Sequence, residues 1–261
     1  MVLLHEGWKC KNMVNVIISG CGGKMGHVVA QEIASREDAR VVGGIDIASP
    51  TCDFPVFHTP SAVNVDADVV IDFSNPAVLM PLLSYGKEKQ VPLVLCTTGY
   101  DAQQVAALKE ASREIPIFYS RNMSLGINLL IDLCKRASQV LGPAFDVEII
   151  EAHHNQKIDA PSGTALMIAD EISSVRAGDT HYMYDRHSQR KKRDPSEIGI
   201  HSIRGGTIVG EHEVLFAGHH ETITIAHSAQ SKEVFAAGAV NAAVFLAGKP
   251  AGLYDMSDLL K

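Results

Sequence analysis

The rhythm of apolar and polar positions changes about halfway along the chain. Before residue 124, short apolar runs alternate with helix-compatible stretches. Val14–Ser19 leads into a helix over 25–35, and Arg40–Ile45 and Asp68–Phe73 read as strands. Asn75-Pro76 opens a helix that runs to about Lys89. Pro92–Cys96 and Pro116–Tyr119 are strands on either side of a helix over 101–113. Nearly continuous apolar strands separated by helices imply a parallel sheet covered on both faces. After Ser124 the pattern is different. A long helix reaches about Leu141, a strand covers Asp146–Ala152, and a helix covers Gly163–Ser174. Three strands then follow without intervening helices, at Glu197–Ile203, Ile208–Ala217 and Thr222–His227. That succession predicts a mixed sheet.

The expected fold class is therefore α/β, with an N-terminal Rossmann-like parallel sheet domain and a second α+β domain built on a mixed sheet. The expected divisions are an extension over 1–12, a first domain over 13–123 and a second domain over 124–235. A C-terminal helix and tail over 236–261 would return to the first domain. The first twelve residues carry too short an apolar stretch, followed too soon by charge, for a signal peptide. The block 186–193, rich in arginine and lysine, is expected to be a solvated loop.

Composition narrows the function classes. The chain has 261 residues, 46% hydrophobic and 20% charged, which is ordinary for a globular protein. Thirty acidic against 23 basic residues give a net charge of −7, which argues against a nucleic-acid surface. Five scattered cysteines without a C-x-x-C pair point to free thiols in a reducing compartment, hence the cytoplasm, and to no metal site. No apolar run approaches the roughly 18 residues of a membrane span.

Two stretches carry candidate chemistry. The first is Gly20-Cys21-Gly22-Gly23-Lys24-Met25-Gly26, between the first strand and its helix. Glycines at 20, 23 and 26 permit a tight turn and close approach of a pyrophosphate to a helix N-terminus, although such turns also serve strand–helix packing alone. Asp46, at the end of the second strand and 20 residues past Gly26, suits the adenosine ribose hydroxyls. An acid there, followed by Ile47 and Ala48 rather than an arginine, predicts NADH as the preferred cofactor with NADPH also accepted. The second stretch is Glu151–Ala165. Adjacent His153 and His154 on an extended strand point to opposite faces, which disfavours chelation of one metal. One histidine would serve as acid or base and the other as an anion contact, against the alternative of two satisfied core histidines. Ser162 resembles a helix cap, with Gly163 and Thr164 offering N–H groups to a carboxylate and Lys157 adding charge.

At these residues the chain resembles the 4-hydroxy-tetrahydrodipicolinate reductase family, also called dihydrodipicolinate reductase. The strongest element is Glu151-Ala-His-His-Asn-Gln-Lys-Ile-Asp-Ala-Pro-Ser-Gly-Thr-Ala165, supported by Gly20–Gly26, Cys96–Gly99, Asn122–Gly126 and Arg204–His212. The resemblance implies reduction of a small dicarboxylate, with His153 as proton donor and Lys157 as its catalytic partner. It implies that His154, Ser162, Gly163 and Thr164 hold the substrate. Gly20, Cys21, Gly22, Gly23, Lys24, Met25, Asp46, Cys96, Thr97, Thr98, Ser120, Arg121, Asn122 and Met123 would line the cofactor site. It also implies a homotetramer assembled through the second-domain sheet, without a nucleic-acid or membrane partner. Family members often have glycine where Cys96 stands and arginine where Asn241 stands, the latter a charge facing the substrate. Two rivals also fit the two-domain pattern: a homoserine or aspartate dehydrogenase, and a dinucleotide-binding sensor, which has no use for a proton donor.

Overall fold

The apolar run after Met13 forms β1 (Val14–Ser19), and the first sheet is built outward from it. The structure, a computed structural model, describes residues 13–260. On one side of β1 lie β2 (Ala39–Ile45) and then β3 (Val56–Phe57). On the other lie β4 (Val69–Asp72), β5 (Leu93–Leu95), β6 (Pro116–Tyr119) and β12 (Gly252–Tyr254). Every pairing is parallel. Parallel neighbours need crossovers, supplied by α1 (Lys24–Ala34), α2 (Leu79–Lys89) and α3 (Ala102–Ala111).

Burial on both faces explains why these strands read as apolar runs rather than alternations. On one face Val16, Ile18, Val94 and Phe118 pack against α1 and against α6 (Glu233–Leu246). On the other, Ile17, Val70, Leu95 and Ile117 pack against α2 and α3. The order of strands reverses between β1 and β4, so the crevice at their carboxyl ends is where a parallel sheet of this kind places a ligand.

The chain divides into two units. One runs to Met123 and resumes at Phe235, and the other is Ser124–Val234. The second unit opens with α4 (Leu125–Leu141), capped by the Ser124 hydroxyl, which accepts the Ile127 N–H. Its sheet runs β11 (Thr222–Ala229), β10 (Gly210–Ala217), β7 (Asp146–His153), β9 (Glu197–Arg204), β8 (His181–Met183). β7, β9 and β8 are parallel, while β10 is antiparallel to both of its neighbours. Alternate residues Val147, Ile149, Ile198, Ile200, Val214 and Phe216 form the core beneath α4 and α5 (Gly163–Ser173). The opposite sheet face carries Glu148, Ile150, Glu213 and Leu215, all partly exposed, and the half-exposed Ile203.

The structure corrects one expectation. The block 186–193 is not simply solvated. Arg193 is tied to Asp146 at 2.7 Å, to Glu148 at 3.0 Å and to the carbonyls of Val147 and Glu197. Arg186 reaches Glu197 at 2.7 Å and Glu148 at 3.0 Å. Glu197 is fully buried and Glu148 largely so, and buried anions recruit cations from the loop. Arg190 and Lys192 stay exposed as expected. Asn241 also has a structural task. Its side-chain carbonyl accepts from Arg36 at 2.7 Å, while Arg36 forks onto Asp38, so Asn241 ties α6 to the end of α1. The expected extension 1–12 lies outside the described residues. No helix among the described residues is long and apolar enough to cross a membrane.

Candidate active site

Gly20 has φ of +80°, and a Cβ there would lie 2.7 Å from the Phe73 carbonyl oxygen. A Cβ on Gly26 would come within 2.2 Å of the Gly20 carbonyl oxygen. The first glycine therefore permits the turn, and the last permits α1 to lie against it. Gly23 is the N-cap of α1, with no side-chain cap and no acid in the first turn. The opening amides and the helix dipole thus favour an anion such as a pyrophosphate. Asp46 follows β2 and braces this turn, accepting the Gly22 N–H at 2.9 Å and the Ala48 N–H at 2.8 Å. Cys21 is buried, and burial, Cys52 and Asp46 push its thiol up to about 12, so it packs rather than reacts. Lys24 and Gly23 are exposed, Gly22 and Met25 partly so.

The loops after β5 and β6 emerge at the same edge of the sheet. Cys96 and Thr97 are buried and Thr98 is exposed. A residue absent from the sequence expectations, Asp72 at the end of β4, organises this edge. Fully buried, it accepts from Thr97 Oγ1 at 2.7 Å, Ser74 Oγ at 2.5 Å and Tyr100 at 3.3 Å. Burial and then Asp72 hold the Cys96 thiol well above its usual value. In the loop after β6, the Ser120 hydroxyl donates to the Asn122 carbonyl at 2.8 Å, and Arg121 is exposed. Met123 is 3% exposed within the first unit's core, its carbonyl against Gly238 of α6.

In the second unit Glu151 has no exposed side-chain surface. Arg204 grips both of its oxygens at 2.8 Å, the Ser162 N–H donates to Oε1 at 3.1 Å, and His153 Nδ1 lies 2.6 Å from Oε2. Burial opposes the Glu151 charge, but hydrogen bonds from Arg204, Ser202, His153 and Ser162 outweigh it and hold the carboxyl at about 2. The permanent anion requires the ring proton on Nδ1, which leaves Nε2 as the nitrogen that exchanges a proton. Burial lowers the His153 pKa against the opposing pull of Glu151.

Beyond β7 the His154 carbonyl accepts the Lys157 N–H at 3.1 Å, closing a turn. The Gly205 N–H donates to the His153 carbonyl at 2.9 Å, and the Asn155 N–H to the Gly206 carbonyl at 3.2 Å. Two strand ends are thereby clasped together. A pocket of about 370 Å³ lies here, lined among others by His154, Gly206, Thr207 and Lys232. Lys157 is paired with Asp159 at 2.9 Å. The Ser162 hydroxyl accepts the Ala165 N–H at 3.1 Å and lies 3.1 Å from His212 Nε2, so this serine is fully engaged as the cap of α5. Gly163, exposed, and Thr164, partly exposed, form the first turn, which contains no acid.

The structure thus gathers His153, Glu151, Ser162 and the start of α5 around one carboxylate. The E-x-H spacing was the available signal for Glu151, because residues two apart on a strand share a face. Arg204 and His212 lie in a quoted motif but have no local signal of their partners. Asp72 shows only as an acid closing an apolar strand.

A reversed parallel sheet with a glycine turn after its first strand, in a chain whose α+β unit holds a carboxylate-braced histidine, defines a nicotinamide-dependent oxidoreductase. The models for the N-terminus and the C-terminus of dihydrodipicolinate reductase match residues 14–123 and 126–260. The chain belongs to the dihydrodipicolinate reductase family. It is 52% identical over 249 residues to the 4-hydroxy-tetrahydrodipicolinate reductase of Caldanaerobacter subterraneus subsp. tengcongensis, covering 95% of this chain and 99% of the relative. It is 49% identical to the enzyme of that name in Clostridium tetani, covering 95% and 97%. Among solved structures, a dipicolinate-bound dihydrodipicolinate reductase from Paenisporosarcina sp. TG-14 aligns with a TM-score of 0.79 at 26% identity, over 93% of this chain and 97% of that one.

Two buried groups, among others, link stability to acid pH. Glu151 is held at about 2 against an ordinary 4.5, and burial pushes His212 down to about 4 from 6.5. In both cases the unfolded chain binds the proton more tightly, so stability is fully present above about pH 6.5 and falls as the pH drops. The His212 part is lost between pH 6.5 and 4, and the Glu151 part between 4.5 and 2. Urea unfolding measured from pH 7 to pH 4 should show declining stability, with a shallower decline in His212→Phe. Equal slopes in the two proteins would contradict this assignment.

Proposed function

We propose that the chain reduces 4-hydroxy-tetrahydrodipicolinate to tetrahydrodipicolinate, a step toward diaminopimelate and lysine. The observation that carries this reading is His153, held on Nδ1 by the fully buried Glu151 beside the opening turn of α5. Gly20–Met25, Asp46, Cys96–Thr98 and Ser120–Met123 would hold a nicotinamide cofactor, which would supply a hydride. The substrate hydroxyl and a proton from the neighbouring ring carbon leave together as water, which puts a C=C in conjugation with C=N, and the hydride adds to the carbon that bore the hydroxyl. His153 gives the neighbouring carbon its proton from Nε2. Lys157 and the N-terminus of α5 stabilise the charge that develops on the ring nitrogen and the carboxylates. Gly163 and Thr164 bind one carboxylate and His154 contacts the other, while Ser162 fixes the turn that presents them.

The free thiols of Cys21, Cys52, Cys96 and Cys134 support a cytoplasmic location. A homotetramer joined through the second-unit sheet is supported by the apolar Ile150, Ile203 and Leu215 on the face away from α4 and α5.

His153→Gln should lower kcat by about 10²–10⁴-fold while changing KM little, the signature of a group that acts in the transition state. Steady-state kinetics with kcat within about threefold of the parent would remove His153 from the acid role.

Cofactor choice rests on Asp46. Its carboxylate accepts ribose hydroxyls and repels a 2′-phosphate, and the next residues, Ile47 and Ala48, offer no cation. Lys24, exposed at the start of α1, is a single flexible ammonium and a poorer phosphate partner than a guanidinium. We expect kcat/KM to favour NADH by about tenfold or more, about 1.4 kcal/mol. Measurement at low ionic strength is the hardest test, since Lys24 acts most strongly there. Equal efficiencies that become unequal in Lys24→Ala would show that the lysine outweighs the aspartate.

A further inference from the structure

His212 has no part in the chemistry just described, yet it is bound into its frame. It lies on β10 directly opposite Glu151 of β7 and is 5% exposed. Its ring stands edge-on to His153, with centroids 5.3 Å apart and planes at 78°. Its Nε2 is 3.1 Å from the Ser162 hydroxyl. Ser162 in turn caps α5 through its hydroxyl and donates its backbone N–H to Glu151, which holds His153. The contacts therefore close a loop: His212 to Ser162, Ser162 to Glu151, Glu151 to His153, and His153 back to His212.

His212 Nδ1 is buried and has no hydrogen-bond partner among the described residues. A buried N–H without an acceptor is rarer than a bare acceptor, so the ring proton belongs on Nε2, donated to Ser162 Oγ. Histidine brings to this place both a flat ring against His153 and a single donor toward Ser162. Phenylalanine lacks the donor, and glutamine lacks the ring.

We propose that His212 is a positioning residue, which sets the plane and the dryness of the His153 ring and ties that ring to the carboxylate-binding turn of α5. The proposal rests on the reading of His153 as proton donor. The charged and titratable groups around the pair are Glu151 on β7, Lys157 and Asp159 in the turn beyond it, Arg204 on β9 and His227 on β11. Burial, the neighbouring His153, His227 and Lys157 keep His212 neutral against the opposing Glu151. A neutral His212 does not compete for the proton that His153 carries. Its ring excludes water from one side of His153, which disfavours the His153 cation and makes it a readier donor.

Two variants separate the two halves of the proposal. His212→Gln keeps a donor for Ser162 but loses the ring. Histidine NMR titration of the folded enzyme should then show the His153 pKa rising by about half a unit or more as water reaches it. The alkaline limb of the kcat–pH profile should move the same way. His212→Phe keeps the ring but loses the donor. The His153 titration should stay in place, while pyridine-2,6-dicarboxylate binds about fivefold more weakly, the worth of one neutral hydrogen bond.

A His212→Gln protein whose melting temperature falls while the His153 titration and the pH limb do not move would overturn the positioning role. Unchanged dicarboxylate affinity in His212→Phe would overturn the tie to α5, and this variant carries the test alone where His212→Gln does not fold. Failure of the acid assignment is read separately, since retained kcat in His153→Gln leaves the His153 titration shift measurable.

Discussion

Glu151 is a carboxylate with no exposed surface, and the second unit is arranged around the need to partner it. An isolated buried carboxylate is costly by several kcal/mol, and the cost is offset only when every lone pair is met by a donor of good geometry. Arg204 meets two at once, from the parallel neighbour β9, and the Ser162 backbone meets a third from the start of α5. The His153 ring and the Ser202 side chain are further donors. The register of β7 with β9, the entry of α5 and the orientation of a histidine thus follow from one buried charge. Removing any single partner leaves the anion short of a donor, which links the stability of the unit to the geometry of its chemistry.

The two units use the same physical device differently. Each offers a helix N-terminus to an anion. In α1 the cap is Gly23, which offers backbone alone at the helix start, and the close approach of helix and turn is secured by residues without side chains. In α5 the cap is Ser162, which closes one amide itself and leaves the first turn, Gly163 and Thr164, to present the binding surface. A diffuse pyrophosphate suits the first arrangement, while a compact carboxylate that needs a fixed orientation suits the second. Asp72 and Glu151 hold matching places, each a buried acid that pins loops at the working edge of its sheet.

How much was legible in the sequence depends on the range of the interaction. The alternation of apolar strands with helices showed in the first half because strands buried on both faces leave a continuous apolar run. Gly20, Gly23 and Gly26 were legible because steric demands in a turn are local, and Ser162 because capping spans three residues. The short strands β3, β8 and β12 carry too few residues for a period to register, and their neighbours make them strands. The tie from Arg204 to Glu151 spans 53 residues, and that from His212 to Ser162 spans 50, so no local pattern announces either. The basic block misled for the same reason: its charge was visible, but the partly buried Glu148 and the buried Glu197 that claim Arg186 and Arg193 were not.

Glu151 is expected to serve catalysis by holding His153, beyond holding the fold. Glu151→Gln keeps the shape of the side chain and removes the anion, so the ring loses both its orienting charge and its tautomer. The direct measurement is kcat for this variant, alongside the calorimetric affinity for pyridine-2,6-dicarboxylate as proof that the folded site persists. The expected result is a kcat lowered by about 10²-fold or more, with the dicarboxylate still bound. A kcat within about threefold of the parent in a variant that binds the dicarboxylate normally would contradict it.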